Sequence, residues 1–177
     1  MPEFDAPSRC SSGSPVRFRW FGVPTAVQNE DLDAASEAFM MALKPEGRVW
    51  NPFAERMVRA EFRDRVQAAS RGELVPVDEV KPVDVRYPPP LYEIRWQDIP
   101  VTDRVGDDFV HSTALVRMYH SEPEVAPNHF IGHHIHEKLI DVSDINREQN
   151  AEIRVAKSFY DLGESTNWGI APGVDVV

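Results

Sequence analysis

Three strand-like runs follow one another late in the chain, at residues 91–96, 114–120 and 130–139, with no helical period between them. Strands that succeed each other this closely, after a stretch with helical spacing, predict an α+β domain with a small, twisted, mainly antiparallel sheet. In 114–120, Leu115 and Tyr119 fall on one side and Val116 and Met118 on the other. In 130–139, Ile131, His133, Ile135, Glu137 and Leu139 point one way, while His134, His136 and Lys138 point the other. That register sets two imidazoles and an ammonium in a row, about 6–7 Å apart along one face.

The preceding chain supplies the rest of the architecture. Residues 16–23 (VRFRWFGV) read as a strand that Pro24 ends. Residues 31–43 read as a helix, with Leu32, Ala35, Phe39 and Ala42 at helical spacing and acids at its start. A second helix begins at Asn51, a capping residue, with Pro52 at its first position and Gly72 past its end. Phe53, Met57, Ala60 and Val66 form its expected core stripe. Arg56, Arg59 and Arg63 lie on another face, either as a solvated surface paired with Glu55 and Glu61 or as a stripe that contacts phosphates. Residues 73–90 hold five prolines and read as a stiff linker; 97–108 read as a polar turn. Residues 146–162 form a last helix, with Ile153, Ala156 and Tyr160 on one face and Gly163 just past its end. The expectation is one domain, 16–163, with two N-terminal helices, the sheet and a C-terminal helix, between a flexible tail at 1–15 and a second tail at 164–177.

Composition removes several function classes. No apolar run approaches the roughly 20 residues that span a bilayer, and the first residues lack the basic and apolar regions of a secretory signal. A single cysteine, Cys10, excludes an internal disulfide and any multi-cysteine metal site. These features point to a cytoplasmic protein with no membrane partner. There is no glycine-rich phosphate loop and no G-x-S-x-G elbow, which disfavours nucleotide-dependent kinases and serine hydrolases. The net charge is −10; residues 1–90 carry 12 basic against 14 acidic side chains, and residues 91–177 carry 7 against 15. Nucleic acid would therefore have to be held by a local basic patch.

The histidine row is open to three readings. It is a polar sheet edge whose imidazoles bond to their neighbours, or an acid–base site, or a metal site in which His111 or His120 completes the set with His134 and His136. Arg95 and Arg117 equally suit structural ion pairs with acids such as Glu93.

Three pieces resemble the RelE/ParE toxin superfamily, in its HigB-like, phage-associated branch. Leu91-Tyr-Glu-Ile-Arg95 is similar to that branch's "LyElR" strand. Val116-Arg-Met-Tyr119 is similar to its "vRvfy" strand, and 130–138 follows where members have an apolar strand ending in basic residues. Asn150-Ala-Glu-Ile-Arg-Val-Ala156 resembles the helix that closes the domain. The resemblance implies a toxin of a toxin–antitoxin pair, an endoribonuclease that cleaves mRNA on the ribosome with no metal or other cofactor. It also implies a helix-turn-helix antitoxin as partner. Cleavage through the RNA's own 2′-OH needs a base, cations around the phosphorane and an acid for the 5′-oxygen. On this resemblance Arg95 and Arg117 hold the phosphate, His134 or His136 is base or acid, and Lys138 adds charge. Tyr119 and Tyr160 assist, and Arg56, Arg59 and Arg63 contact the substrate. Glu122 and Glu124 would border that site from the loop between the last two strands. The alternative is a non-catalytic interaction protein of the same fold that inhibits a host target by binding; a third is a His-ligated, metal-dependent hydrolase.

Overall fold

The structure is a computed structural model that describes residues 6–27, 30–84, 88–140 and 142–172. Parts of the expected tails (1–5 and 173–177) and of the proline-rich stretch (85–87) lie outside the described residues. The elements are β1 (Arg17–Trp20), α1 (Asp31–Ala42), β2 (Arg48–Val49), α2 (Pro52–Ser70), β3 (Val80–Asp84), β4 (Leu91–Val105), β5 (Asp108–Ser121), β6 (His129–Lys138) and α3 (Ile145–Glu164). They form an α+β fold around one six-stranded, mostly antiparallel sheet ordered β1-β6-β5-β4-β2, with β3 also on β4. Only β1, which returns alongside β6, is parallel to its neighbour.

Side-chain alternation gives the sheet two different faces. Ile94, Trp96, Val116, Met118 and Ile135 face α1 and α2 and form the main core. Phe39, Phe62 and Trp96 meet there with ring centroids 4.8–5.4 Å apart. Leu91 and Tyr119 face the other way and meet Ile153 and Ala156 of α3. No helix among the described residues is long and apolar enough to cross a membrane.

Local chemistry explains the element ends. The Asn51 side chain accepts from the Ala54 N–H at 2.8 Å, and Pro52 opens α2 where its missing N–H costs nothing. Gly72, at φ +71°, follows α2 so closely beneath Ser14 that a Cβ would meet the Ser14 carbonyl oxygen at 2.6 Å.

Several expectations change. The buried stripe of α2 is Val58, Phe62, Val66 and Ala69, whereas Phe53 and Met57 are exposed. Both stripes have helical spacing, and only docking on the sheet chose between them. The proline-rich stretch is no simple linker, since β3 pairs antiparallel with β4 and shifts register between Pro82 and Asp84. Pro82 is accepted because β3 is an edge strand. The polar stretch 97–108 continues β4 and β5 into a long hairpin closed by Gly106-Asp107, with Gly106 at φ 65°. A register shift between Trp96 and Ile99 breaks the alternation and hides this strand in the sequence.

Both ends of the described chain pack. Residues 9–11 form a 3₁₀ turn with Cys10 buried against the main core. At the other end a turn at Asn167–Gly169 buries Trp168, whose indole N–H donates to the Tyr160 carbonyl. Gly163 lies inside α3 and not beyond it; its lack of a side chain makes room for the Trp168 indole, which a Cβ there would overlap.

Candidate functional site

Cross-strand register builds a polar grid on the α3 side of the sheet. Arg95 of β4, Arg117 of β5 and His136 of β6 lie side by side, and one step along the strands Glu93, Tyr119 and His134 do the same. Lys81 of β3 faces Glu93 from the edge. The structure therefore gathers all five expected catalytic residues, Arg95, Arg117, His134, His136 and Lys138, together with Tyr119.

The centre of the grid is an ion cluster. The Glu93 carboxylate is 2% exposed and lies 3.3 Å from Arg95 Nε, 3.6 Å from Arg117 Nε and 3.8 Å from Lys81 Nζ. Glu93 therefore serves as the pairing acid that the sequence offered. Arg117 is as deeply buried, and desolvation lowers its pKa below the ordinary guanidinium value while Glu93 opposes that shift. Lys138 is half-buried at the rim; burial and then the Arg117 charge lower its ammonium pKa. Four cations stand here against the carboxylates of Glu93 and Glu152, so the patch is basic within an acidic chain.

The histidines form a second layer. Glu152 of α3 bonds to His134 Nε2, and this bond is the first cause of the lowered Glu152 pKa. An ionised Glu152 takes the Nε2–H of His134 and leaves Nδ1 as the acceptor. The His134 ring stacks on His136 with centroids 6.0 Å apart. His136 Nε2 is 3.1 Å from the Tyr119 hydroxyl, and burial pushes the His136 pKa down to about 4. Tyr119 is fully buried, and desolvation followed by the Glu93 charge raises its phenol pKa. His134 is the accessible member of the pair, with 23% of its side chain exposed.

The remaining expected residues go elsewhere. Arg59 and Arg63 lie on α2, across the sheet from this grid, and pair with Glu37, Glu55 and Asp33. Arg56 is exposed on the same helix. Tyr160 of α3 packs on Trp168 and against the edge of His133, next to the grid and not in it. The simple alternation predicted for β6 fails at His133, where a register shift between Tyr119 and His120 turns that ring toward α3. His133 Nδ1 lies 3.2 Å from the Phe21 carbonyl and Nε2 lies 2.8 Å from the Ser121 hydroxyl, so it is a buried structural histidine. Glu122 does not border the row either. It lies beside His120, on the α1/α2 side. His111 bonds to Thr102 near the hairpin tip, so neither it nor His120 joins His134 and His136 in a metal site.

Sequence reasoning missed Lys81 and Glu152. Lys81 was hidden because its segment reads as a linker. Glu152 had a signal, since it precedes Ile153 and sits four residues before Ala156, on the buried side of an amphipathic helix. No family model matches the chain, and neither a curated protein nor a solved structure is significantly similar to it.

Proposed function

We propose that the grid is a metal-independent site for cleaving RNA, in a toxin of RelE/HigB-like character neutralised by a helix-turn-helix antitoxin. The observation that carries the reading is the cross-strand alignment of Arg95, Arg117 and His136 beside Tyr119 and His134, with Lys81 and Lys138 at the rim. The element order, a helical hairpin on one face of the sheet and a closing helix on the other, agrees with it.

In this reading Arg95 and Lys81 receive the scissile phosphate, and the buried Arg117 supports them with its field. His134, its Nε2 held by Glu152, presents Nδ1 to the 2′-hydroxyl as base. Lys138, its pKa lowered by burial and by Arg117, returns a proton to the 5′-oxygen. His136 and Tyr119 keep the His134 ring in place from beneath.

The long hairpin favours a second reading, that of an interaction protein which inhibits by binding. Val105 and Phe109 near its tip are 61% and 59% exposed, and Val110 beside them is exposed too. Induced expression in a bacterial host separates the two. The cleavage reading expects translation arrest and new 5′ ends in mRNA, both lost in the His134→Ala, His136→Ala, Lys138→Ala triple variant at equal expression. Arrest by both proteins would establish the binding reading. No effect of the wild type would remove both.

A further inference from the structure

Outside this grid, the described residues bring one set of three metal-binding side chains within reach of a common ion: Cys10, His120 and Glu122. They come from the N-terminal 3₁₀ turn, the end of β5 and the loop that follows it. Cys10 and His120 are fully buried, and the Glu122 side chain is 5% exposed.

We propose that these residues bind a single Zn²⁺ ion that fastens the N-terminal segment to the sheet. Zinc takes thiolate, imidazole and carboxylate ligands in tetrahedral sites. With Zn–S about 2.3 Å and Zn–N and Zn–O about 2.0 Å, tetrahedral ligand atoms stand about 3.5 Å apart for S and N and about 3.3 Å for N and O. Cys10 Sγ and His120 Nε2 are 3.8 Å apart, and His120 Nε2 and Glu122 Oε1 are 2.9 Å apart. These two separations differ from the tetrahedral values by about 0.3 and 0.4 Å, and all three ligand atoms lie within 4.8 Å of one another. The Ser8 hydroxyl donates to Glu122 Oε1 at 2.5 Å and holds that carboxylate beside His120.

The surroundings are built to hold such a set. Glu122 Oε2 accepts the Arg9 backbone N–H at 2.9 Å, which fixes the carboxylate and turns Oε1 toward His120. The Arg9 guanidinium donates to the carbonyls of Pro123, Ala126 and His129 and so shapes the loop that carries Glu122. The Cys10 carbonyl accepts from Leu74 N–H, and the Tyr92 ring stacks on His120 with its hydroxyl bonded to the Ala6 carbonyl. Enclosed sites with this little access are structural rather than catalytic. Capture of the ion sends the Cys10 thiol proton to solvent, moves the His120 proton from Nε2 to Nδ1, and replaces the His120–Glu122 hydrogen bond with Zn–S, Zn–N and Zn–O bonds.

The test is titration of the full chain, stripped of metal, with Zn²⁺ and then Co²⁺. The expected result is one ion per chain, a higher melting temperature with Zn²⁺, and a sulfur-to-cobalt charge-transfer band in the near ultraviolet. X-ray absorption on the wild-type zinc form should show one sulfur neighbour, a result that depends on no variant. Cys10→Ser should abolish the band, and Glu122→Gln should weaken Zn²⁺ affinity roughly tenfold or more. The His134→Ala, His136→Ala double variant should bind as the wild type does. Absence of the sulfur neighbour, a band that survives Cys10→Ser, or binding lost only with His134 and His136 would overturn the site.

Discussion

The most consequential side chains of the sheet are buried and ionisable. Burial holds His133 neutral down to about pH 3 and His136 down to about pH 4, whereas an unfolded histidine takes up its proton near pH 6.5. Between those values the unfolded chain binds more protons than the folded one. Stability should therefore fall as pH drops from about 6.5 toward about 4, with a slope of up to about 1.4 kcal/mol per pH unit for each histidine. Urea unfolding at stepped pH measures this, and His133→Gln should remove one histidine's share of the slope. Glu93 makes a second prediction. Changing it to Gln leaves Lys81, Arg95 and Arg117 around an uncharged amide and should cost about 3 kcal/mol. The double variant Glu93→Gln, Arg117→Met should lose less than the sum of the two single changes, as a double-mutant cycle would read.

Among the elements, α3 is placed by small residues and one indole. Trp168 is 1% exposed and wedges beside Gly163, with the Tyr160 ring packed against it at a centroid distance of 4.8 Å and a tilt of 46°. Gly163→Val should force the indole out and destabilise the protein by about 1–3 kcal/mol in chemical denaturation. It should also perturb the proposed RNA site, because α3 carries the Glu152 that holds His134. At this scale the sequence was partly legible. The caps of α2 stand where Asn51, Pro52 and Gly72 put them, because capping is a local matter of orphan N–H groups and glycine's permissive φ. The buried stripe of α2 was not legible, since the exposed Phe53 and Met57 repeat at helical spacing as convincingly as Val58 and Phe62. Strand β3 escaped notice for a different reason. Prolines argue against a ladder in general but not on an edge.

Across the whole molecule, charge is segregated. The chain carries −10, yet among the described residues Lys81, Arg95, Arg117 and Lys138 share one face with the carboxylates of Glu93 and Glu152. Any RNA binding should consequently be local and salt-sensitive. Affinity for a short single-stranded RNA should fall steeply between low and moderate salt, and Lys81→Ala and Lys138→Ala should each lower the log–log slope by about one, as fluorescence anisotropy would show. Equal binding by an Arg59→Ala, Arg63→Ala variant would agree with their place across the sheet, in pairs with Glu37, Glu55 and Asp33.

By itself the sequence determined what depends on near neighbours. Two helices, three late strands and a closing helix follow from local periodicity, and the alternation in β6 placed His134, His136 and Lys138 on one face. The tertiary structure decided the matters that involve distant residues. Pairing of β4, β5 and β6 set Arg95 and Arg117 beside His136, and docking of α3 brought Glu152 to His134. Folding of the N-terminal segment carried Cys10 from a Ser-rich stretch into the core, against His120 and Glu122. Register and docking are settled by which buried surfaces fit together, and one strand or helix read alone holds only half of each fit.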